Sequence, residues 1–117
     1  MLTYHNKTRS MVKKTIEGIP LIVKETIKPV DGDARVILFG SRARGDFHSD
    51  SDWDFLILTR KKVSRQLQDE IRELLYRIEL NTEQVITSVI ENEEVWLKYR
   101  ESEFFKNVTR DGIEIIS

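Results

Sequence analysis

Between Val36 and Leu58 the chain reads VILFGSRARGDFHSDSDWDFLIL, and two groups of residues in it have chemistry to offer. Gly40-Ser41 directly follows an apolar run. Glycine lets a backbone pass close to a ligand, and the amides after such a turn can point at phosphate oxygens. Arg42 and Arg44 add positive charge to the same loop. Ten residues separate Ser41 from Asp52, which opens Asp52-Trp53-Asp54-Phe55. Successive side chains of a strand point to opposite faces, so Asp52 and Asp54 share one face while Trp53 and Phe55 point the other way. Two adjacent carboxylates repel, and a hard divalent cation with oxygen ligands relieves that repulsion. A lone Gly-Ser is commonly an ordinary strand-to-helix connection, and a lone Asp-x-Asp a solvated strand end. Together, a phosphate cradle and a metal-ligand pair are the two halves of a phosphoryl-transfer site.

These residues need elements to position them. RVILFG is a short, continuous apolar run of strand-favouring residues ended by Gly40, and DWDFLIL is a second strand, polar at its start and apolar at its end. From Ser64 to Leu80 the residues Leu67, Ile71, Leu74, Leu75 and Ile78 form one apolar stripe on a charged helix. Val85–Ile90 reads as a third strand, rich in β-branched residues. ENEEVWLKYR begins a helix with acids in its first turn, where the helix dipole favours them. Upstream, Lys7–Val30 has helical spacing through Met11, Val12, Ile16 and Ile19 and again through Ile22, Val23 and Ile27. Gly18 and Pro20 interrupt it, so two helices or one kinked helix are expected, with Pro20 starting the second. After Gly112 a last apolar piece reads as a short edge strand or a docking tail. The expected fold is α/β (α+β), a mixed sheet of three to five strands packed against helices, in a single domain over residues 1–117.

Composition limits what such a site can serve. The 19 Lys and Arg balance 20 Asp and Glu, which argues against a protein that holds nucleic acid mainly through a broad basic surface. With no cysteine there is no disulfide, thiolate metal site or cysteine nucleophile, so metal chemistry falls to oxygen or imidazole ligands. No apolar stretch has the length of an export signal or a membrane span, and a cytoplasmic protein is expected.

Gly40-Ser41, a ten-residue spacer and Asp52-Trp53-Asp54-Phe55 resemble the signature of the nucleotidyltransferase superfamily that includes DNA polymerase beta. LFGSRARGD followed by SDSDWDFLI is similar, more narrowly, to the minimal nucleotidyltransferases, small proteins that carry only the catalytic domain. That resemblance implies that Gly40 and Ser41 hold the β- and γ-phosphates of a nucleoside triphosphate, most simply ATP. It casts Arg42 and Arg44 as neutralisers of phosphate charge; arginines in such a loop equally stay solvated or pair with Asp46 or Asp50. It implies that Asp52 and Asp54 bind two Mg²⁺ ions that serve an in-line displacement at the α-phosphate. Members of the family commonly carry a third carboxylate on a later strand. VITSVI has no acid, and the nearest are Glu79, Glu83 and Glu91. Glu83 is the candidate third catalytic acid, against a reading as a solvated loop residue.

The resemblance further implies pairing with a small helical HEPN-type protein in a toxin–antitoxin system, with nucleic acid entering only as an acceptor and oligomers allowed. Two functions follow. One is an enzyme that transfers AMP from ATP to a hydroxyl acceptor as an antitoxin. The other is an inactive module that binds nucleotide or partner without transfer, which the uncertain third acid sustains. Elsewhere, His5 and His48 are too far apart to suggest a shared ligand set, and the basic run Arg60-Lys61-Lys62 with Arg65 reads as a solvated turn in preference to a contact for nucleic acid or a triphosphate. Trp53 reads as core. Trp96, Tyr99, Phe104 and Phe105 read either as the last layer of the core or as a partner surface.

Overall fold

The structure, a computed structural model, describes residues 12–15 and 18–116. At its centre β2 (Arg35–Phe39) runs antiparallel to β3 (Trp53–Thr59), in a register that pairs Arg35 with Leu58 and Phe39 with Asp54. Helix α3 (Arg65–Thr82) crosses over to β4 (Ile86–Asn92), which lies parallel to β3. On the other side of β2 lies β5 (Ile113–Ile116), antiparallel to it, and then β1 (Val12–Thr15), parallel to β5. The strand order is β1-β5-β2-β3-β4.

Both faces of the sheet are covered, which explains why VILF and FLIL are continuous apolar runs instead of alternating ones. On one face α1 (Ile19–Ile27) and α3 supply Val23, Ile27, Leu67, Ile71, Leu75 and Ile78 against Val36, Phe55, Ile57 and Ile90. The other face carries α4 (Glu93–Leu97) and α5 (Glu103–Asp111), with Trp96 and Val108 against Ile37, Leu56 and Leu58. The late aromatic residues divide accordingly. Trp96 is buried, stacks on Phe105 at 4.9 Å between ring centres and meets Phe104 edge-on, whereas Tyr99 is exposed.

Local chemistry sets the helix ends. The Ser64 side chain accepts from the Leu67 amide at the start of α3, and Asn92 accepts from the Glu94 and Val95 amides at the start of α4. Pro20 stands in the first turn of α1, as expected of a residue without an amide hydrogen. Between elements, Asp31 is the main tie. Its carboxylate accepts from the Arg60 and Lys61 amides at 2.8 and 3.1 Å and from the Asp33 amide at 3.1 Å, joining the turn after α1 to the end of β3. The Lys61 ammonium donates to the Val30 carbonyl, so that residue of the basic run is structural. Arg35 donates to both Glu114 oxygens and to Glu93, which links β2, β5 and α4; the Glu114 hydrogen bond is the main reason its guanidinium holds its proton more tightly than usual.

Two expectations change. Helical spacing through Lys7–Val30 gives way at Val12–Thr15 to a strand, because pairing with β5 decides the conformation of four residues that have no strong local preference; Met11 and Ile16 lie outside the described residues, as does His5. The last apolar piece is a strand but not at an edge, since β1 covers its outer side. Among the described residues no helix is long and apolar enough to cross a membrane.

Candidate functional site

Gly40 ends β2 and begins α2 (Ser41–Arg44) at φ 75° and ψ −159°, a conformation open to glycine and almost nothing else. Its position beside β3 requires glycine a second time. A β-carbon there would overlap the Asp54 carboxylate and lie 3.1 Å from its Cγ. The phosphate-type turn and the second aspartate are thus in contact, as the pairing of Phe39 with Asp54 across β2 and β3 dictates. Within the turn, the Ala43 and Arg44 amides both donate to the Gly40 carbonyl at 3.1 Å, and the Gly45 amide closes the helix onto Ser41. The first amides of a helix have no intrahelical acceptor, which leaves those of Ser41 and Arg42 for an anion.

Asp54 is half-buried and Asp52, one residue ahead of β3, is exposed. The Thr87 hydroxyl donates to Asp54 Oδ1 at 2.8 Å, and the other carboxylate oxygen faces Gly40. Thr87 is the Cα partner of Asp54 in the parallel β3–β4 pair, so it occupies the β4 position where a third carboxylate would stand beside the first two. Glu83 is instead the C-cap of α3, exposed and in left-handed conformation at φ 57°, three residues before β4 begins. Among the described residues no three Asp, Glu or His side chains come together as a metal-binding group, so Glu83 does not join the pair. The donor set is two carboxylates with one oxygen already held by a hydroxyl. It fits Mg²⁺, which binds through one or two carboxylates and takes its remaining ligands from water and substrate phosphates.

The two arginines diverge. Arg44 pairs with Asp46 at 3.4 Å on the surface and lies near Asp111, whose carboxyl is held below its usual range first by its hydrogen bond to Arg110 and further by Arg44. Arg42 turns away from the helix end. Its Nε donates to the Ser51 carbonyl at 3.1 Å, and its guanidinium lies over the Trp53 ring at 4.0 Å from the ring centre. Trp53 is partly buried, packs against the core on the α1–α3 side of the sheet, and its Nε1 donates to Gln84 at 2.9 Å. Sequence reasoning missed Thr87. Its only signal is the alternation of Val85, Thr87 and Val89, which has no meaning until β4 is known to lie parallel to β3 in this register.

Comparison with known proteins places the chain in a family. A family model described as a nucleotidyltransferase domain matches residues 16–110. Two proteins of Methanocaldococcus jannaschii are similar in sequence. One, named "Putative protein adenylyltransferase MJ0141", is 30% identical over 105 residues, which span 90% of this chain and 95% of that one. The other, "Putative protein adenylyltransferase MJ0604", is 35% identical over 78 residues, 67% of this chain and 73% of its own. A crystal structure described as a toxin-antitoxin with AMP-PNP shares the fold with a TM-score of 0.60 at 16% identity, over 86% of this chain and 74% of that one. The family model spans most of this chain and one archaeal relative is matched over nearly its whole length, and the chain belongs to the nucleotidyltransferase domain family of enzymes.

Proposed function

We propose that the protein transfers AMP from ATP to a hydroxyl of a protein acceptor, and that the acceptor is its partner in a toxin–antitoxin pair, of the small helical HEPN type. The observation that carries this reading is the closure of the Gly40 turn on Asp54, because it sets a phosphate site against a metal ligand with no room between them for a side chain. In the transfer, the acceptor oxygen bonds to the α-phosphorus as the bond from that phosphorus to pyrophosphate breaks, and the acceptor's proton leaves to water. Gly40 and Ser41 bind the β- and γ-phosphates through the turn, with the Ser41 hydroxyl as a further donor. Asp52 and Asp54 hold Mg²⁺, which when bound supplies charge stabilisation for the attacking and leaving oxygens. Thr87 orients the Asp54 carboxylate through its hydrogen bond, so that the second oxygen stays turned toward the phosphate site. The names of the two archaeal relatives support protein as the acceptor class, and the AMP-PNP in the structural neighbour supports an adenine nucleotide.

A second reading is favoured by Thr87. With a hydroxyl where a third carboxylate would stand, the chain can bind nucleotide and partner without transferring. One experiment separates the two. Purified protein is incubated with Mg²⁺, ATP labelled at the α-phosphate and the product of the neighbouring reading frame, beside an Asp52→Ala/Asp54→Ala double variant. Label on the partner from the wild type, reduced at least about 100-fold in the variant, supports the enzyme. Partner neutralisation that survives the double substitution, with no label on either sample, supports the binding module.

A further inference from the structure

Among the described residues, the contacts of the Arg42 guanidinium converge on one turn and the two rings that flank it. Nε donates to the Ser51 carbonyl at 3.1 Å, and one terminal nitrogen donates to the carbonyls of Ser49 and His48 at 3.2 and 3.5 Å. Its carbon lies 4.0 Å from the centre of the Trp53 ring and 4.8 Å from that of Phe47. The turn it grips is closed on itself: the Ser51 amide donates to the His48 carbonyl, the His48 amide to Ser51 Oγ, and the Asp50 amide to His48 Nδ1. Asp52 is the next residue.

That placement matters because the sheet does not fix Asp52. Ladder pairing of β3 begins at Trp53, and residues 46–50 are exposed and contribute nothing to either core. A segment of this kind, with few buried contacts, opens at low free-energy cost. Without a brace, the position of Asp52 relative to Asp54 would drift with the turn. A planar guanidinium has five donors in a fixed fork and a flat face for aromatic rings, so it can hold several carbonyls and stack at the same time; an ammonium cannot.

We infer that Arg42 is a positioning residue: it braces the His48–Ser51 turn and thereby sets the carboxylate of Asp52 beside Asp54, and it is not a ligand of the nucleotide's phosphates. The inference rests on the reading of Asp52 and Asp54 as the metal-binding pair, and its test includes a measurement that needs neither metal nor turnover. Arg42→Lys and Arg42→Ala are compared with the wild type after circular dichroism and thermal melting establish that each is folded. Amide hydrogen exchange then reads the turn directly. In both variants the Ser51 and Asp50 amides exchange at least tenfold faster, while those of Ala43 and Arg44 are unchanged. Mn²⁺ titration followed by electron paramagnetic resonance gives binding weakened about tenfold in both, as loss of a group that orients a metal ligand does. AMP transfer shows a raised metal requirement, with KM for ATP at saturating metal within twofold of the wild type.

Unchanged exchange at Asp50 and Ser51 in Arg42→Ala overturns the proposal. So does a lysine variant that matches the wild type while Arg42→Ala raises KM for ATP tenfold at saturating metal, since charge alone would then suffice and the phosphates would be its target. A wild type that binds Mn²⁺ through Asp52 and Asp54 but transfers no label refutes the enzyme reading and leaves the exchange and Mn²⁺ results to decide Arg42.

Discussion

Substitution of Gly40 by alanine tests the geometry on which the site depends, and Gly45 supplies a matched control. The two glycines bracket α2, Gly40 at its N-cap with φ 75° and Gly45 at its C-cap with φ 91°. Each holds a backbone conformation that an L-residue adopts at a cost of roughly 1–3 kcal/mol. Their surroundings differ. A β-carbon on Gly45 meets nothing within 4 Å, whereas one on Gly40 overlaps the Asp54 carboxylate and lies 3.1 and 3.3 Å from its Cγ and Cβ. Asp54 must then swing away, which breaks its 2.8 Å hydrogen bond from Thr87. A hydrogen bond to a charged group contributes about 1.5–3 kcal/mol, and the exposure of Thr87 places this one at the low end. Gly45→Ala therefore loses roughly 1–2 kcal/mol and Gly40→Ala roughly 3–4. At about 4 °C per kcal/mol for a chain of this size, calorimetry should find Tm lowered by about 4–8 °C and about 12–16 °C respectively. The decisive comparison is functional. At a temperature where both variants are folded, Gly40→Ala loses about 100-fold in AMP transfer, the scale expected when a reacting group is misplaced by an ångström, and Gly45→Ala stays within about threefold of wild type. Equal transfer by the two variants would refute the reasoning, because only Gly40 stands against Asp54 and within the proposed phosphate turn.

Other perturbations bear on the frame and on the second aspartate. Burial pushes the Asp31 carboxyl up, but the Lys61, Arg60 and Asp33 amides with the Lys61 charge outweigh it and hold the group below its usual 3.8. A depressed carboxylate stabilises the fold above its unfolded value and loses that contribution as pH falls through the folded one, so denaturant titrations should show wild-type stability falling as pH drops below the usual carboxylate value of 3.8. Asp31→Asn should flatten that limb and cost about 1–3 kcal/mol at neutral pH, since one of its side-chain oxygens is replaced by a donor facing backbone amides. Thr87→Val keeps the shape of the side chain and removes the donor to Asp54; Mn²⁺ binding should weaken about tenfold, and stability should fall by about 1.5 kcal/mol with the lost hydrogen bond. Thr87→Asp should strengthen Mn²⁺ binding instead, by adding a third oxygen ligand at the position that the strand register already sets beside Asp54.

Much of this protein is written in short-range patterns. The apolar runs of β2 and β3, the stripe of α3 and the acid-led start of α4 follow from periodicity and helix-end chemistry, and they appear within a residue or two of the expected bounds. β4 also lies close to its expected bounds, at Ile86–Asn92 against Val85–Ile90, and it runs on to Asn92 because pairing with β3 sets where it stops. In the candidate site, the turn at Gly40-Ser41 and the same-face carboxylates Asp52 and Asp54 could be proposed from the sequence because a turn residue and period-two carboxylates depend only on neighbours in the chain. The resemblance of that stretch to the nucleotidyltransferase signature pointed to the family that the family model matches.

What lay beyond the sequence depends on partners distant along the chain. Val12–Thr15 is a strand because β5, about a hundred residues later, offers it an edge. Thr87 belongs to the site because the crossover through α3 sets β4 parallel to β3 with Asp54 opposite it. Arg42 carries the charge that the motif led one to expect, yet three carbonyls and two rings claim its guanidinium once the chain folds back. The sequence by itself determined which residue types stand ready for phosphate and metal, since those are properties of neighbours. Only the tertiary structure decided where the arginine goes and what stands beside Asp54, since hydrogen bonds and strand register are settled by whatever else comes within reach.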